Sequence, residues 1–184
     1  MANRRFRRNS TKKNTTKKDT MGKIKHVKTV VDGITFDSKM ESDYYIKLKE
    51  DKLNGLIKDF ELQPEFILQD KYIIVDGQAI EGSHPDFNKL KRRTKAETIR
   101  AIKYKGDFLI TELDDTQRVV DTKGQSTTEF EIKKKLFMFK YPNLKLDVLI
   151  YNKKTGTWDD YYEYNKVLRA EKRARKAAME TSVE

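Results

Sequence analysis

The order of capped helices and short apolar segments is the feature that most restricts how this chain can fold. Ser38 with Glu41, and Thr128 with Glu131, have the Ser/Thr-x-x-Glu spacing of a capping box, which marks the start of a helix. Between these two helices lie several short apolar segments with the length and composition of strands, and another follows the second helix. This order predicts an α/β fold with a central mixed β-sheet flanked by helices.

Local turn signals set the bounds of these elements. Asp32-Gly33, between two apolar runs, predicts a hairpin over residues 28–36. Gly55 predicts that the first helix ends soon after Leu53, and Tyr141-Pro142 ends the second. Trp158 precedes a terminal helix, and residues 82–85 are expected to be a loop between strands. Strands are predicted over residues 57–62, 66–68, 72–75, 99–104, 107–111, 118–122 and 144–151.

Positive charge is distributed unevenly along the chain. The 184 residues include 40 Lys and Arg against 29 Asp and Glu, and residues 1–25 contain ten of the basic residues and a single acid, Asp19. We therefore expect a disordered basic tail over residues 1–25, a core over 26–151 and a basic helical extension over 152–184. A cationic tail suits a polyanion such as nucleic acid, and the alternative is a tail that only adds solubility.

Composition excludes several classes of protein. The chain has no cysteine, which excludes disulfide scaffolds and Cys-ligated zinc sites. No apolar run approaches the roughly 18 residues of a membrane span, and no apolar stretch follows the first arginines as in a signal peptide. We expect a soluble cytoplasmic protein without membrane association.

Three acids and one lysine stand out from the other charged residues. Asp107 lies inside an apolar stretch, where a carboxylate is costly to bury without a partner or a metal. Asp121 and Lys123 bracket Thr122, so the two-residue period of a strand places both side chains on one face. Glu41 shares a face of the first helix with the apolar residues that follow it. Carboxylates on adjacent strands, with a third from a packed helix, form a hard-oxygen site suited to Mg²⁺ or Mn²⁺.

Such a site suits phosphodiester hydrolysis. A divalent ion polarises a phosphoryl oxygen and activates water, while Lys123 positions that water or offsets charge on the phosphate. Each residue also has a structural alternative. Asp107 could cap an element or pair with a buried lysine, Glu41 could only cap its helix, and Asp121 to Lys123 could be a strand end before a turn.

Glu41, the segment Gly106-Asp107-Phe108 and the segment Val120-Asp121-Thr122-Lys123 together resemble the motifs of the PD-(D/E)XK nuclease superfamily. Over roughly residues 26–151, the chain is similar to a small branch encoded by phages and prophages. That narrower resemblance is carried by residues 36–41, 61–64, 104–108 and 121–124. It implies a restriction-endonuclease-like core, in which a helix, a strand meander and a helix precede a further strand.

The resemblance also implies roles for individual residues. Glu41, Asp107 and Asp121 would be metal ligands, the backbone carbonyl of Thr122 a further ligand, and Lys123 the catalytic lysine. Asp121 stands where many members carry Glu, which shortens the reach to the metal by one methylene. Gln63 could bring an amide near the site, or it could belong to a turn that ends a strand.

The expected function is a DNA endonuclease that depends on Mg²⁺ or Mn²⁺. By analogy with related nucleases, it would act on branched DNA like a Holliday-junction resolvase, as a homodimer, in phage DNA processing or recombination in the host cytoplasm. The alternatives are a non-catalytic architectural or regulatory DNA-binding protein of the same fold, and an RNA-directed nuclease. Backbone phosphates would be bound by Arg4, Arg5, Arg7, Arg8, Lys12, Lys13, Arg92, Arg93, Lys133 and Lys134.

Overall fold

The computed structural model describes residues 28–180 of the chain. The basic tail over residues 1–25, with the six tail cations named above, lies outside the described residues. In chain order the elements are β1 (Thr29–Val31), β2 (Ile34–Phe36), α1 (Lys39–Leu53), β3 (Asp59–Leu62), β4 (Glu65–Gln69), β5 (Tyr72–Val75), β6 (Gln78–Glu81), α2 (Phe87–Thr94), β7 (Ile102–Lys105), β8 (Phe108–Thr111), β9 (Gln117–Thr122), α3 (Thr128–Lys140), β10 (Lys145–Asn152), β11 (Thr157–Asp160) and α4 (Tyr161–Glu180).

A five-stranded mixed sheet forms the centre of the fold, with strand order β11-β10-β9-β8-β3. Strands β9 and β10 are parallel, because α3 carries the chain across between them, and all other neighbours in this sheet are antiparallel. The predicted α/β fold with a central mixed sheet and flanking helices is therefore confirmed.

Helices α1 and α3 cover opposite faces of this sheet. On the α1 face, Leu48 is buried with Phe108 and Val120. On the α3 face, Phe137 is buried with Val119. Val119 and Val120 are neighbours on β9 and enter different cores, so this central strand is buried on both faces.

A shared bend links the central sheet to a second ladder. Pairs β3/β8 and β4/β7 are antiparallel, and main-chain hydrogen bonds join them across the bend, from Gln63 N to Asp107 O (2.8 Å) and from Gly106 N to Pro64 O (3.0 Å). Gln63 has a φ of 52°. A Cβ on Gly106 would lie 2.6 Å from Val119 Cγ1, so only glycine fits there without displacing the core. This bend positions Asp107 at the edge of the sheet.

The local signals located most elements. The hairpin over residues 28–36 forms with Asp32 and Gly33 at positive φ, and α1 begins after Ser38 and ends at Leu53. The predicted cap of the second helix is wrong by one residue. Thr127, not Thr128, is the N-cap, and its Oγ1 accepts from Phe130 N at 3.2 Å. The spacing favoured Thr128, because Glu131 follows it by three residues, but the hydroxyl of the neighbouring Thr127 caps the helix instead.

Residues 82–85 do not connect two strands, and that prediction is wrong. They lead from β6 into α2, an eight-residue helix in which only Phe87 and Leu90 are apolar, too few to give a helical period. The chain also continues past residue 151 into β11, which pairs with β10. Among residues 28–180, no helix has both the length and the apolar character needed to cross a membrane.

Candidate active site

The pairing of β8 with β9 brings two of the predicted acids together. Phe108 lies opposite Val120, and Asp107 N donates to Val120 O at 3.1 Å, so one further step of the same register places Asp107 opposite Asp121. The amino end of α1 contributes Glu41, whose charge acts on both Asp107 and Lys123. The three acids and the lysine that the sequence singles out thus lie within electrostatic range of one another.

Asp107 is held by the strand beside it. Its Oδ2 accepts from the backbone N–H of Thr122 at 2.7 Å and from the Thr122 hydroxyl at 2.8 Å. Burial raises the pKa of Asp107 to about 7, with further contributions from the negative charges of Asp121 and Glu41. The folded protein therefore binds a proton at Asp107 far more readily than an exposed aspartate would.

Asp121 is the most deeply buried charged group of the site, with 1% of its surface exposed. Its Oδ2 accepts from the Tyr104 hydroxyl at 2.8 Å. Its buried Oδ1 forms an ion pair with the Lys123 ammonium, but no hydrogen-bond donor of good geometry reaches it within residues 28–180. Burial raises the pKa of Asp121, and Lys123 and Tyr104 act in the opposite direction.

Lys123 is the cation of the cluster. Its ammonium pairs with Asp121 and lies 4.8 Å from the centroid of the Phe130 ring. Burial acts to lower the pKa of Lys123, but the charges of Asp121, Asp107 and Glu41 outweigh it and raise the pKa. Lys123 is therefore a protonated hydrogen-bond donor at neutral pH, not a general base.

Glu41 has a capping role and faces the cluster as well. Its backbone N–H donates to Ser38 Oγ at 3.1 Å, and its carboxylate accepts from Ser38 Oγ at 3.0 Å and from Asp37 N at 3.3 Å. Burial raises the pKa of Glu41, while these hydrogen bonds and the charge of Lys123 act to lower it. Glu41 therefore caps α1, as the structural alternative predicts, and also lies in electrostatic range of Asp107 and Lys123.

The two remaining predicted residues lie beside Asp107. Thr122 donates twice to the Asp107 carboxylate, as described above, and the role of its carbonyl as a ligand stays a prediction. Gln63 is adjacent to Asp107 through the main chain and its side chain is exposed. A contact of its amide with a ligand also stays a prediction.

The donor atoms have the chemistry that Mg²⁺ or Mn²⁺ prefers, since they are carboxylate oxygens and one of them, Asp121 Oδ1, is buried without a good hydrogen bond. As they stand, however, no three His, Asp or Glu side chains within residues 28–180 are arranged to hold a metal ion. Protein donors already hold Glu41 and one oxygen of Asp107, Ser38 at Glu41 Oε1 and Thr122 at Asp107 Oδ2. The acids therefore suit such an ion by the chemistry of their oxygens, and the hydrogen bond from Ser38 would compete with an ion for Glu41.

Sequence reasoning missed Tyr104. This residue of β7 is 2% exposed, and its hydroxyl holds Asp121. Burial and the charge of Asp121 raise the pKa of Tyr104, so it stays a neutral donor. The sequence signal for its role was its position three residues before Asp107. A tyrosine in an apolar strand segment is, however, most simply interpreted as a core residue.

Replacing Tyr104 with phenylalanine should destabilise the protein in a pH-dependent way. The change removes a donor from a buried carboxylate, which costs about 1–3 kcal/mol while Asp121 is ionised. The loss of the donor raises the pKa of Asp121 further, so the cost should shrink as the pH falls and Asp121 becomes protonated. Urea unfolding at pH 8 and pH 4 measures this difference.

Tyr141→Phe is the matched control for this prediction. The Tyr141 hydroxyl donates to an uncharged acceptor, the Ile67 carbonyl, at 3.1 Å. Its loss should cost the same at both pH values. Equal pH dependence in the two variants would contradict the role assigned to Tyr104.

The predicted phosphate-binding cations within the described residues fall into two groups. On α3, Lys133 pairs with Glu129 at 2.7 Å and the Lys134 ammonium lies 3.6 Å from the centroid of the Tyr162 ring. On α2, Arg92 and Arg93 are exposed and form no ion pair with the described residues. The α2 residues are thus the ones whose charge is available to a ligand.

Comparison with known proteins gives one match. No curated protein and no solved structure matches the chain significantly. A family model described as a protein of unknown function (DUF1064) matches residues 21–156, which include every acid and the lysine of the cluster. The match covers well over half of the chain, and the chain therefore belongs to the DUF1064 family.

Proposed function

We propose that the protein is a divalent-metal-dependent DNA endonuclease of the PD-(D/E)XK type. The observation that carries this proposal is the position of Asp107 opposite Asp121, with the Lys123 ammonium against Asp121 and Glu41 in electrostatic range. Carboxylates buried side by side raise one another's pKa and oppose folding, so such clusters occur most often where they serve a function.

The residues of the cluster have distinct roles in this proposal. Asp107, Asp121 and Glu41, with the Thr122 carbonyl, would hold Mg²⁺ or Mn²⁺. When bound, such an ion polarises a phosphoryl oxygen and lowers the pKa of a water molecule that attacks phosphorus. Lys123 donates hydrogen bonds to the phosphate as negative charge develops on its oxygens, because its ammonium keeps its proton.

Two neighbours fix the geometry of the acids. Tyr104 orients the Asp121 carboxylate, and the Thr122 N–H and hydroxyl orient that of Asp107. Both contacts come from backbone or side chains of packed strands, so the carboxylates are already oriented before substrate arrives. Action on branched DNA as a homodimer, in phage DNA processing or recombination, is a refinement that rests on the resemblance alone.

The test is cleavage of supercoiled, linear, single-stranded and four-way-junction DNA, each with Mg²⁺, Mn²⁺ or EDTA. We expect cutting only with metal, and its loss in Asp121→Ala. Asp59→Ala is the control, since Asp59 begins β3 opposite Thr111, about four residues or 13 Å along the ladder from the site. DNA binding without cutting under every condition would contradict the nuclease proposal and favour an architectural protein. Cleavage of RNA instead of DNA would contradict the proposed substrate and favour an RNA-directed nuclease.

A further inference from the structure

An uncompensated positive charge is concentrated on α2. The helix and its C-cap contain five cations and no acid, and all five are exposed: Lys89, Lys91, Arg92, Arg93 and Lys95. None of them pairs with an acid of the described chain, whereas Lys49, Lys52 and Lys103 each have an acidic partner. The helix dipole favours the cations of the last turn, but the like charges repel one another, and an anionic ligand would relieve that repulsion.

The attachment of α2 turns these cations outward. Phe87 is 4% exposed, and the Lys71 ammonium lies 5.6 Å from the centroid of its ring, so this side of the helix faces β5. A helix turns by about 100° per residue, which places Arg92 nearly opposite the direction shared by Phe87 and Leu90. By the same count Lys89 lies about 60° from Arg92, and Lys91 and Arg93 lie about 100° to either side of it; all are exposed.

Three of the cations line an open cleft at the end of the helix. Its lining residues are Asn88, Lys91, Arg92, Lys95 and Ala96. Lys95 is the C-cap of the helix with a φ of 56°, and Lys95 and Ala96, where the chain leaves the helix, line the cleft as well. Arg92 Nε donates to Asn88 O at 3.3 Å, a contact that directs the guanidinium and leaves its terminal N–H groups for a ligand.

The cleft has the chemistry of a phosphate site. It presents one guanidinium, two ammonium groups and an amide, without a carboxylate. Its open shape suits a polymer better than a small anion. The eight residues of α2 extend over about 12 Å, which is the rise of the duplex axis over about three phosphates of one strand.

We propose that the cleft formed by Asn88, Lys91, Arg92 and Lys95 binds backbone phosphates of duplex DNA and holds the duplex that the acidic cluster cuts. The identity of the ligand rests on the proposed function, while the location of the binding site rests on α2 alone. Because the contacts are to phosphate, this binding is independent of base sequence and depends strongly on salt.

Two triple variants of the full chain, with equal loss of charge, test the proposal. The first is Lys91→Gln with Arg92→Gln and Lys95→Asn, where asparagine is chosen because it tolerates positive φ. The second is Lys172→Gln with Arg173→Gln and Arg175→Gln, three exposed cations of α4. Both reduce the formal net charge from +11 by three. Fluorescence anisotropy measures binding to a labelled duplex in EDTA over a KCl series, and circular dichroism checks the helix content.

We expect the α2 variant to lose at least about tenfold in affinity at low salt and two to three units in the slope of log K against log[KCl]. The α4 variant should stay within about one unit of the slope of the unmodified protein. Equal losses in the two variants would mean that only net charge matters and would overturn the proposal. Unchanged DNA binding in the α2 variant, with reduced binding to phosphatidylserine vesicles, would overturn it in favour of a membrane surface.

Failure of this inference can be told apart from failure of the proposed function, because binding in EDTA does not require cutting. If the protein never cuts, but the α2 variant binds duplex more weakly, the phosphate cleft is supported and the nuclease proposal is refuted. If the protein cuts, but the α2 variant binds duplex as tightly as the unmodified chain, the nuclease proposal is supported and the phosphate cleft is refuted.

Discussion

Replacing Asp107 with asparagine should stabilise the protein at pH 8 and abolish its metal-dependent cleavage. An asparagine oxygen can still accept from the N–H and hydroxyl of Thr122, but it removes a charge that Asp121 and Glu41 repel. A metal ligand and the repelled charge are lost together, so stability and activity should change in opposite directions. We expect cleavage to fall by about a hundredfold to a thousandfold, as for loss of a principal electrostatic contact in an active site.

The pH dependence of this effect has a definite sign. The pKa of Asp107 is raised from 3.8 to about 7 on folding, so the folded chain binds its proton more tightly than the unfolded chain. The resulting stabilisation is complete below about pH 4 and is lost as the pH rises through 7. Asp107→Asn should therefore match the unmodified protein near pH 4 and exceed its free energy of unfolding by roughly 1–3 kcal/mol at pH 8.

Urea unfolding in EDTA between pH 4 and pH 8 measures this difference, and Asp147→Asn is the matched control. Asp147 lies on β10 and pairs with Arg118 at 3.2 Å and Lys145 at 2.9 Å, so its replacement should destabilise the protein. Added Mg²⁺ should stabilise the unmodified protein at pH 8 and leave Asp107→Asn unaffected. An asparagine variant that is less stable at pH 8, or that still cuts, would refute the electrostatic account of the site.

Much of the fold could be predicted because its signals are local. The capping box at Ser38 and the Asp32-Gly33 turn each depend on neighbouring residues, and both appear in the structure. Helix α2 could not be predicted in this way, since it has two apolar residues and is held by packing against β5. Strand β11 depends on its partner β10 across a turn, which composition does not reveal.

The site was predictable where motif and period agree, as for Asp121 and Lys123 on one face of a strand. That Glu41 reaches the cluster depends on how α1 packs on the sheet, so the sequence could only suggest it. Tyr104 escaped prediction, and the sequence indicated Arg92 and Arg93 as phosphate-binding residues without indicating the cleft that Arg92 lines. A buried tyrosine gives the same apolar signal as a core residue, and unpaired surface cations differ from paired ones only in three dimensions.

Replacing Lys123 with methionine should be the most destabilising single change in the site. Asp121 is 1% exposed and would lose its cation, while Asp107 and Glu41 would remain nearby. Removal of one partner from a buried ion pair costs about 3–5 kcal/mol, because the other charge is left uncompensated. By contrast, Lys145→Met removes an exposed lysine that also pairs with an aspartate and should cost under about 1 kcal/mol. Urea unfolding at pH 8 measures both values.

A double-mutant cycle separates the structural role of Lys123 from its role in cleavage. Asp121→Asn with Lys123→Met removes both charges, so the free energy of unfolding should return to within about 1 kcal/mol of the unmodified protein while cleavage stays absent. The double variant remains measurable even if Lys123→Met alone fails to fold. If the double variant were as unstable as Lys123→Met, the cost would arise from lost packing against Phe130 rather than from the uncompensated charge of Asp121.

Lys123→Arg separates the charge of Lys123 from its shape. It keeps a cation beside Asp121 and should preserve stability, but its larger planar guanidinium presents its N–H groups in a different geometry from the compact ammonium, so cleavage should still fall.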